Sequence, residues 1–303
     1  MDPSGGPAGG LMRVPGPERW SSRTFWAVLV GMTAAAGLLR LPWVDRGLNE
    51  NTSFRQTQTA FTVREYMRNG IDLLHAPMPV LGPPWDLPFE LPLFQALAAV
   101  VGRLGLDSTT AARLTGLVFF QLTCLALAVL ALRWFSRATA LLTVVLFQLS
   151  PFGVQWGSAS LIEFLATACS VGAVVVVDVW STRRRPVWLV LAVVLQVLAF
   201  LVKPTTAVPW LVAYAVPVAR MVLDAPTSRA RATVAAWASA PPLAGLVAAV
   251  LWTRHADDIK AASPFTEGLT SRSLMTWNFG TPGQRLDPAA WGLVFGRVGS
   301  ISG

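Results

Sequence analysis

Few residues in this chain are able to do chemistry, and they are widely spaced. The segment FRQTQTAFTVREYMRNG at 54–70 gathers guanidinium, amide and hydroxyl groups in Arg55, Gln56, Gln58, Thr59 and Arg64. Beyond it, single ionisable groups stand at the edges of apolar runs: Glu90 in WDLPFELP, Glu163 in SLIEFLA and Lys203 in FLVKPTT. An ammonium or guanidinium at lipid-headgroup depth is placed to hold a phosphate. A carboxylate beside it can pair with that cation or accept a proton from a hydroxyl. An ionisable group inside an apolar span is expensive, so Glu163 is a functional candidate by default. For Lys203 the plainer alternative is a lysine snorkelling to the interface, and for Glu90 a charge favoured by a helix start.

The elements that must position these groups are membrane spans. Of 303 residues, 53% are apolar and 13% charged, and the mean hydropathy is +0.53. The apolar runs are long enough to cross a hydrocarbon core of about 30 Å as helices. Stretches such as LAVVLQVLAFLV carry no polar stripe of the kind a soluble helix needs. The expected fold is therefore all-α, a polytopic bundle of about seven spans near 24–42, 111–132, 137–152, 158–180, 186–202, 206–222 and 233–252. The first run follows an arginine-bearing leader, but LLRLPWVDRG offers no small-residue cleavage site, so it reads as a retained helix. The Gly/Pro-rich leader 1–23 reads as disordered.

A net charge of +8 would point to nucleic acid in a soluble protein; in short loops, arginines set topology instead. Arg13/Arg19/Arg23, Arg133/Arg137, Arg183–Arg185 and Arg220/Arg229/Arg231 fall on one face if the N-terminus is cytoplasmic and 91–106 does not cross. That short run, which opens at Leu91-Pro92 and is broken by Arg103, reads as interfacial or re-entrant. Tryptophans near both expected boundaries, Trp43 and Trp252 on one side and Trp134 and Trp188 on the other, fit aromatic belts. The 43–110 loop and the 253–303 tail then lie outside. Cys124 and Cys169 sit within apolar runs and read as buried thiols. No metal-ligand spacing and no phosphate-cradling glycine loop occurs, so no cofactor is expected.

Within the outer loop, 54–68 reads as an amphipathic helix, started by Ser53 and stopped by Gly70. Ala60, Val63 and Met67 form its apolar stripe, with Gln56 at the N-terminal end; Arg55, Thr59, Thr62 and Tyr66 line the neighbouring one. A solvated surface helix is the alternative; the density of hydrogen-bonding groups favours a polar ligand. The proline-rich stretch that follows reads as a stiff extended connector ending at Glu90. Glu163, Lys203, Glu90 and Arg55 are thereby expected to converge on one outer-leaflet pocket.

The segments SFRQTQTAFTVREYMRNGIDLL, PVLGPPWDLPFELPLFQALAAVVGRLGL, LDSTTAARL, SLIEFLA, LVKPTT and LTSRSLMTWNFGTPGQRLDPAAW, in that order and spacing, resemble GT-C type glycosyltransferases. These use polyprenyl-phosphate sugars and include protein O-mannosyltransferases and lipid A aminoarabinose transferases. The resemblance implies a sugar donor on a polyprenyl phosphate, a plasma (inner) membrane location and a catalytic first loop facing the non-cytoplasmic side. It matches Glu90 to the glutamate of the family's FE(K/F)P element and implies that Lys203 contacts the donor phosphate. From the residues themselves, Arg55 and Arg64 are expected to join Lys203 at the phosphate, and Gln56, Gln58, Thr59 and Glu163 to contact substrate. Relatives place an Asp-Glu pair where this chain has Arg55-Gln56. The base for the acceptor hydroxyl is then expected among Glu50, Asp45 and Glu90, with Glu50 preferred. Relatives also continue further, so 253–303 is expected to begin a C-terminal part that is absent here.

Two rival classes remain open at this point. A lipid or sugar transporter predicts ionisable groups at mid-membrane and inverted repeats; the sequence shows no repeat, and Asp178 and Glu163 are its deepest candidates. A non-catalytic partner that binds a lipid-linked sugar is the other. The acceptor is not legible.

Overall fold

The computed structural model describes residues 21–48 and 53–302, so Glu50 and nearly all of the 1–23 leader lie outside the described residues. The chain begins with α1 (Ser22–Val44), α2 (Ser53–Asn69), α3 (Leu93–Gly102), α4 (Ser108–Trp134), α5 (Arg137–Leu149) and α6 (Pro151–Trp156). It continues with α7 (Glu163–Arg183), α8 (Pro186–Val202), α9 (Pro204–Ala207), α10 (Trp210–Leu223) and α11 (Ser228–Ala261), followed by α12 (Met275–Phe279), α13 (Pro282–Leu286) and α14 (Pro288–Ser302). The described residues form an all-helical bundle. Helices α1, α4, α7 and α11 are long and apolar enough to cross a membrane; α5, α8 and α10 are shorter apolar helices packed among them.

Helix α7 packs against α4, α8 and α10, and α8 against α11. One buried cluster joins α2, α3, α7 and α8 through Val63, Phe94, Leu165, Phe200 and Val202. A second, around Val174, Val177, Trp180 and Tyr214, fills the other end. There Arg133 pairs with Asp178, whose carboxylate also accepts from Trp134 Nε1 at 3.1 Å. Arg220 lies 5.6 Å over the Trp134 ring and Arg137 lies 5.7 Å over Phe25. The arginine-bearing ends of α1, α4, α5, α7 and α10 thus meet at one end of the bundle. Asp178 is spent on that packing, so the transporter alternative loses one of its two acids.

Four boundaries differ from the sequence reading. The 137–152 run breaks at Ser150, because Pro151 has no N–H for a continuing ladder and starts α6 instead; Ser150 Oγ caps it by accepting from Gly153 N at 2.9 Å. The next long helix starts at Glu163 and not near 158, leaving 157–162 non-helical. Glu163 consequently occupies the first helical position, not a turn inside. Helix α11 runs past Trp252 to Ala261 despite Pro241 and Pro242, carrying His255 and Lys260 against the proline-rich connector. That connector is not simply extended: Met78 N donates to Trp85 O at 2.7 Å and Leu87 N to Ala76 O at 3.0 Å, so it doubles back through Gly82, whose φ is +86°. Cys124 and Cys169 are buried free thiols.

Candidate active site

The α2 sequence puts its hydrogen-bonding flank inward, not toward solvent: Gln56, Thr59, Thr62 and Tyr66 are all buried. The connector covers that flank. Thr62 Oγ1 donates to Pro77 O at 3.1 Å, and the Tyr66 hydroxyl sits against the carbonyls of Asp72 and His75. Asn69 closes the helix and Gly70, at φ +95°, turns the chain away. The connector's own carboxylates differ in setting. Burial pushes Asp86 above the usual carboxylate range, although the Ala76 N–H bonds to it. Exposed Asp72 is held below that range by the Leu74 N–H and by His75.

At its far end the connector delivers Glu90 between two cations. Glu90 Oε1 lies 3.8 Å from Lys203 Nζ and 3.8 Å from Arg55 Nη2. Lys203 Nζ also donates to Glu163 Oε1 at 2.8 Å. Three chain segments fix this cluster. Lys203 caps the end of α8, and its extended backbone, at φ −162°, comes just before Pro204. Glu163 opens α7, where the helix N-terminus favours an anion. The 89–91 segment is pinned by Leu91 N donating to Leu201 O at 2.9 Å and by Trp252 Nε1 donating to Phe89 O at 3.2 Å. Arg55 stacks over Phe89 at 5.6 Å from one side, and Lys260 Nζ stands 5.2 Å from the same ring.

Two cavities meet at this cluster. One is a narrow polar recess of about 40 Å³ between α2, the connector and the start of α7, which includes Thr59, Gln95 and Glu163 in its wall. The other is a broad groove of about 830 Å³ lined by Phe54, Val80, Leu81, Leu269, Leu274 and Trp277 among others. Arg55, Gln58, Phe89, Glu90 and Lys203 belong to both walls. The arrangement therefore sets two cations and a carboxylate at the mouth between an apolar channel and a polar recess.

The structure brings together Arg55, Gln58, Thr59, Glu90, Glu163 and Lys203 from the sequence expectation. It turns two others away. Gln56 is fully buried and accepts from Ser160 N at 3.2 Å, fastening α2 to the 157–162 segment. Arg64 is half exposed, lies 4.4 Å over Phe61 and pairs with Glu65 at 3.6 Å. Asp45 stands exposed at the end of α1 as its C-cap. Sequence reasoning missed Gln95, in the recess wall, and Arg113, which is fully buried in α4. The signal for each was present: a lone amide in the apolar run LPLFQALAAVV and a lone charge near the start of a span.

A family model described as dolichyl-phosphate-mannose-protein mannosyltransferase matches residues 86–252, more than half of the chain. Glu90, Glu163 and Lys203 fall inside the match; Asp45, Glu50 and Arg55 precede it. No curated protein and no solved structure matches the chain. With the helical membrane bundle and the site geometry, the match shows that this chain belongs to the dolichyl-phosphate-mannose-protein mannosyltransferase family, membrane glycosyltransferases of the GT-C kind.

Proposed function

We propose that the chain transfers a sugar from a polyprenyl-phosphate donor to an acceptor hydroxyl on the extracytoplasmic face of the plasma (inner) membrane. The observation that carries this reading is the Arg55–Glu90–Lys203 cluster at the mouth between an apolar groove and a polar recess. The groove suits a prenyl chain, the cations suit its phosphate, and the recess suits hydroxyl groups at one edge of a sugar. The arginine-rich end of the bundle supports the orientation, since Lys and Arg concentrate on cytoplasmic loops.

In this mechanism a carboxylate takes the proton of the acceptor hydroxyl as the new oxygen–carbon bond forms at the anomeric carbon. The bond from that carbon to the phosphate oxygen breaks, and the phosphate leaves with the electron pair. Lys203 and Arg55 stabilise the charge that grows there. Glu90 and Glu163 hold the two cations apart and aligned. With Glu90 engaged by both cations, the base is assigned to the segment that follows α1, which carries Asp45 and Glu50.

The test is transfer of radiolabelled sugar by purified protein, wild type against Lys203→Ala. Loss of one stabilising charge-assisted contact is expected to slow turnover about a hundredfold and to weaken donor binding. Equal rates in the two proteins would remove Lys203, and this mechanism with it.

A further inference from the structure

Three residues that line the recess each carry a buried acceptor oxygen with no hydrogen-bond partner: Gln58 Oε1, Gln95 Oε1 and Glu163 Oε2. They come from three different helices, α2, α3 and α7, and all three residues line the same cavity. Buried polar atoms are nearly always paired in folded proteins, so three orphans around one space call for a ligand that supplies donors. A recess of about 40 Å³ admits roughly three water-sized groups. It is too small for a whole sugar ring and matches the hydroxyl-bearing edge of one, with the ring at the mouth.

Chemistry excludes the phosphate from this space. A phosphate brings only acceptors and cannot satisfy these three oxygens; its partners are Lys203 and Arg55, at the mouth that the recess shares with the groove. Glu163 joins the two halves. Its Oε1 receives the Lys203 ammonium at 2.8 Å, while its Oε2 is buried and unpaired in a residue that also lines the recess. A donor whose phosphate engages Lys203 would thus present its sugar hydroxyls to the other oxygen of the same carboxylate.

We infer that Gln58, Gln95 and Glu163 read hydroxyl groups of the donor sugar, with Gln95 a specificity-determining residue. This deepens the transferase reading above and rests on it. The ligand class is a neutral sugar with neighbouring hydroxyls, carried on a lipid phosphate. Because such a site strands its own buried acceptors when a hydroxyl is missing, it discriminates against deoxysugars more strongly than an apolar pocket does.

The experiment compares binding of two kinds of lipid by the full chain in nanodiscs. One is a polyprenyl phosphate carrying mannose, galactose or arabinose; the other is the same polyprenyl phosphate without sugar. Wild type is expected to hold at least one sugared lipid more tightly than the bare one. Gln95→Leu should erase that difference, weakening the sugared lipid about tenfold and leaving the bare lipid unchanged. Gln58→Leu, on a second helix lining the recess, should weaken the sugared lipid more than the bare one and serves if the first variant does not fold. Equal loss on both lipids, or no loss on either, overturns the inference. So does a wild type that treats sugared and bare lipids alike, an outcome that leaves the lipid-phosphate site standing. Failure to bind any polyprenyl phosphate overturns the donor reading itself.

Discussion

Arg113 Nη2 donates to the carbonyl of Gly47 at 3.1 Å, tying the start of α4 to the segment that follows α1. The same guanidinium reaches the Ser158 carbonyl at 3.5 Å, in the non-helical stretch before Glu163. One fully buried cation therefore fastens the segment after α1 and the stretch that leads into Glu163 to the same helix. Replacing it with methionine keeps the volume but strands two carbonyls. Arg113→Met should cost about 2 kcal/mol of stability and lower sugar transfer by more than that loss of folded protein accounts for. Thermal unfolding in detergent alongside the transfer assay separates the two; full activity in the folded fraction would show that the fastening is only structural.

Gly116 carries a related constraint one turn further along α4. A Cβ there would stand 2.2 Å from the carbonyl oxygen of Ala159, so helix and segment touch only because the side chain is absent. Gly116→Ala must push 157–162 away from α4, at about 1–3 kcal/mol for an overpacked contact. The displacement is transmitted to Glu163, which opens the next helix. Donor affinity should therefore fall in parallel with the unfolding midpoint. An alanine variant as stable and as tight-binding as wild type would contradict the close approach.

Charge balance at the mouth gives a prediction of opposite sign. Arg55 and Lys203 face Glu90 and Glu163, so an incoming phosphate competes with two carboxylates for the same cations. Glu163→Gln keeps the shape and removes one competitor. Bare polyprenyl phosphate should then bind several-fold tighter at low salt, with the gain shrinking as ionic strength rises, while sugar transfer slows because the ammonium is no longer held in line. Binding measured at two salt concentrations checks this. Weaker binding of the bare lipid would place the phosphate elsewhere.

How much of this was legible in the sequence follows from which forces act locally. The spans, the α2 helix and the arginine-rich end follow from hydropathy, capping residues and loop charge, all of which are encoded within short windows. The meeting of Glu90, Glu163 and Lys203 was legible because each sits at the edge of an apolar run, where membrane depth fixes it. The direction of the α2 polar flank was not, because its periodicity defines two stripes and only the connector decides which one is covered. The roles of Gln56 and Arg113 depend on partners far along the chain, Ser160 for one and Gly47 and Ser158 for the other, which no local pattern specifies. The helix start at Glu163 moved for a tertiary reason too: the 157–162 segment is held by Gln56, Arg113 and the bare face of Gly116 and cannot join a helix.

Asp107 supplies the last prediction, at the N-terminus of α4 just ahead of Arg113. Its Oδ1 accepts from Thr109 N at 2.9 Å and Thr110 N at 3.1 Å, satisfying two N–H groups that the helix leaves unpaired. Burial at the helix start would raise its pKa, but the hydrogen bonds from Thr110 and Thr109 outweigh it and hold the carboxyl below the usual range. A folded-state value below the unfolded one means that the ionised form stabilises the fold. That contribution is fully present above the unfolded value of about 3.9 and fades as pH falls through the folded value. Asp107→Ala should cost about 1 kcal/mol at neutral pH, whereas Asp107→Asn, which still caps, should cost little there. As pH falls below about 4 the gap between wild type and the asparagine variant should narrow, closing only once pH has passed the lowered folded value and the wild-type carboxyl is protonated. Unfolding midpoints of the three proteins, measured from neutral pH down to this range, test it. An asparagine variant that tracks wild type at every pH would show that the charge of Asp107 contributes nothing and that its oxygen alone sets the start of the helix.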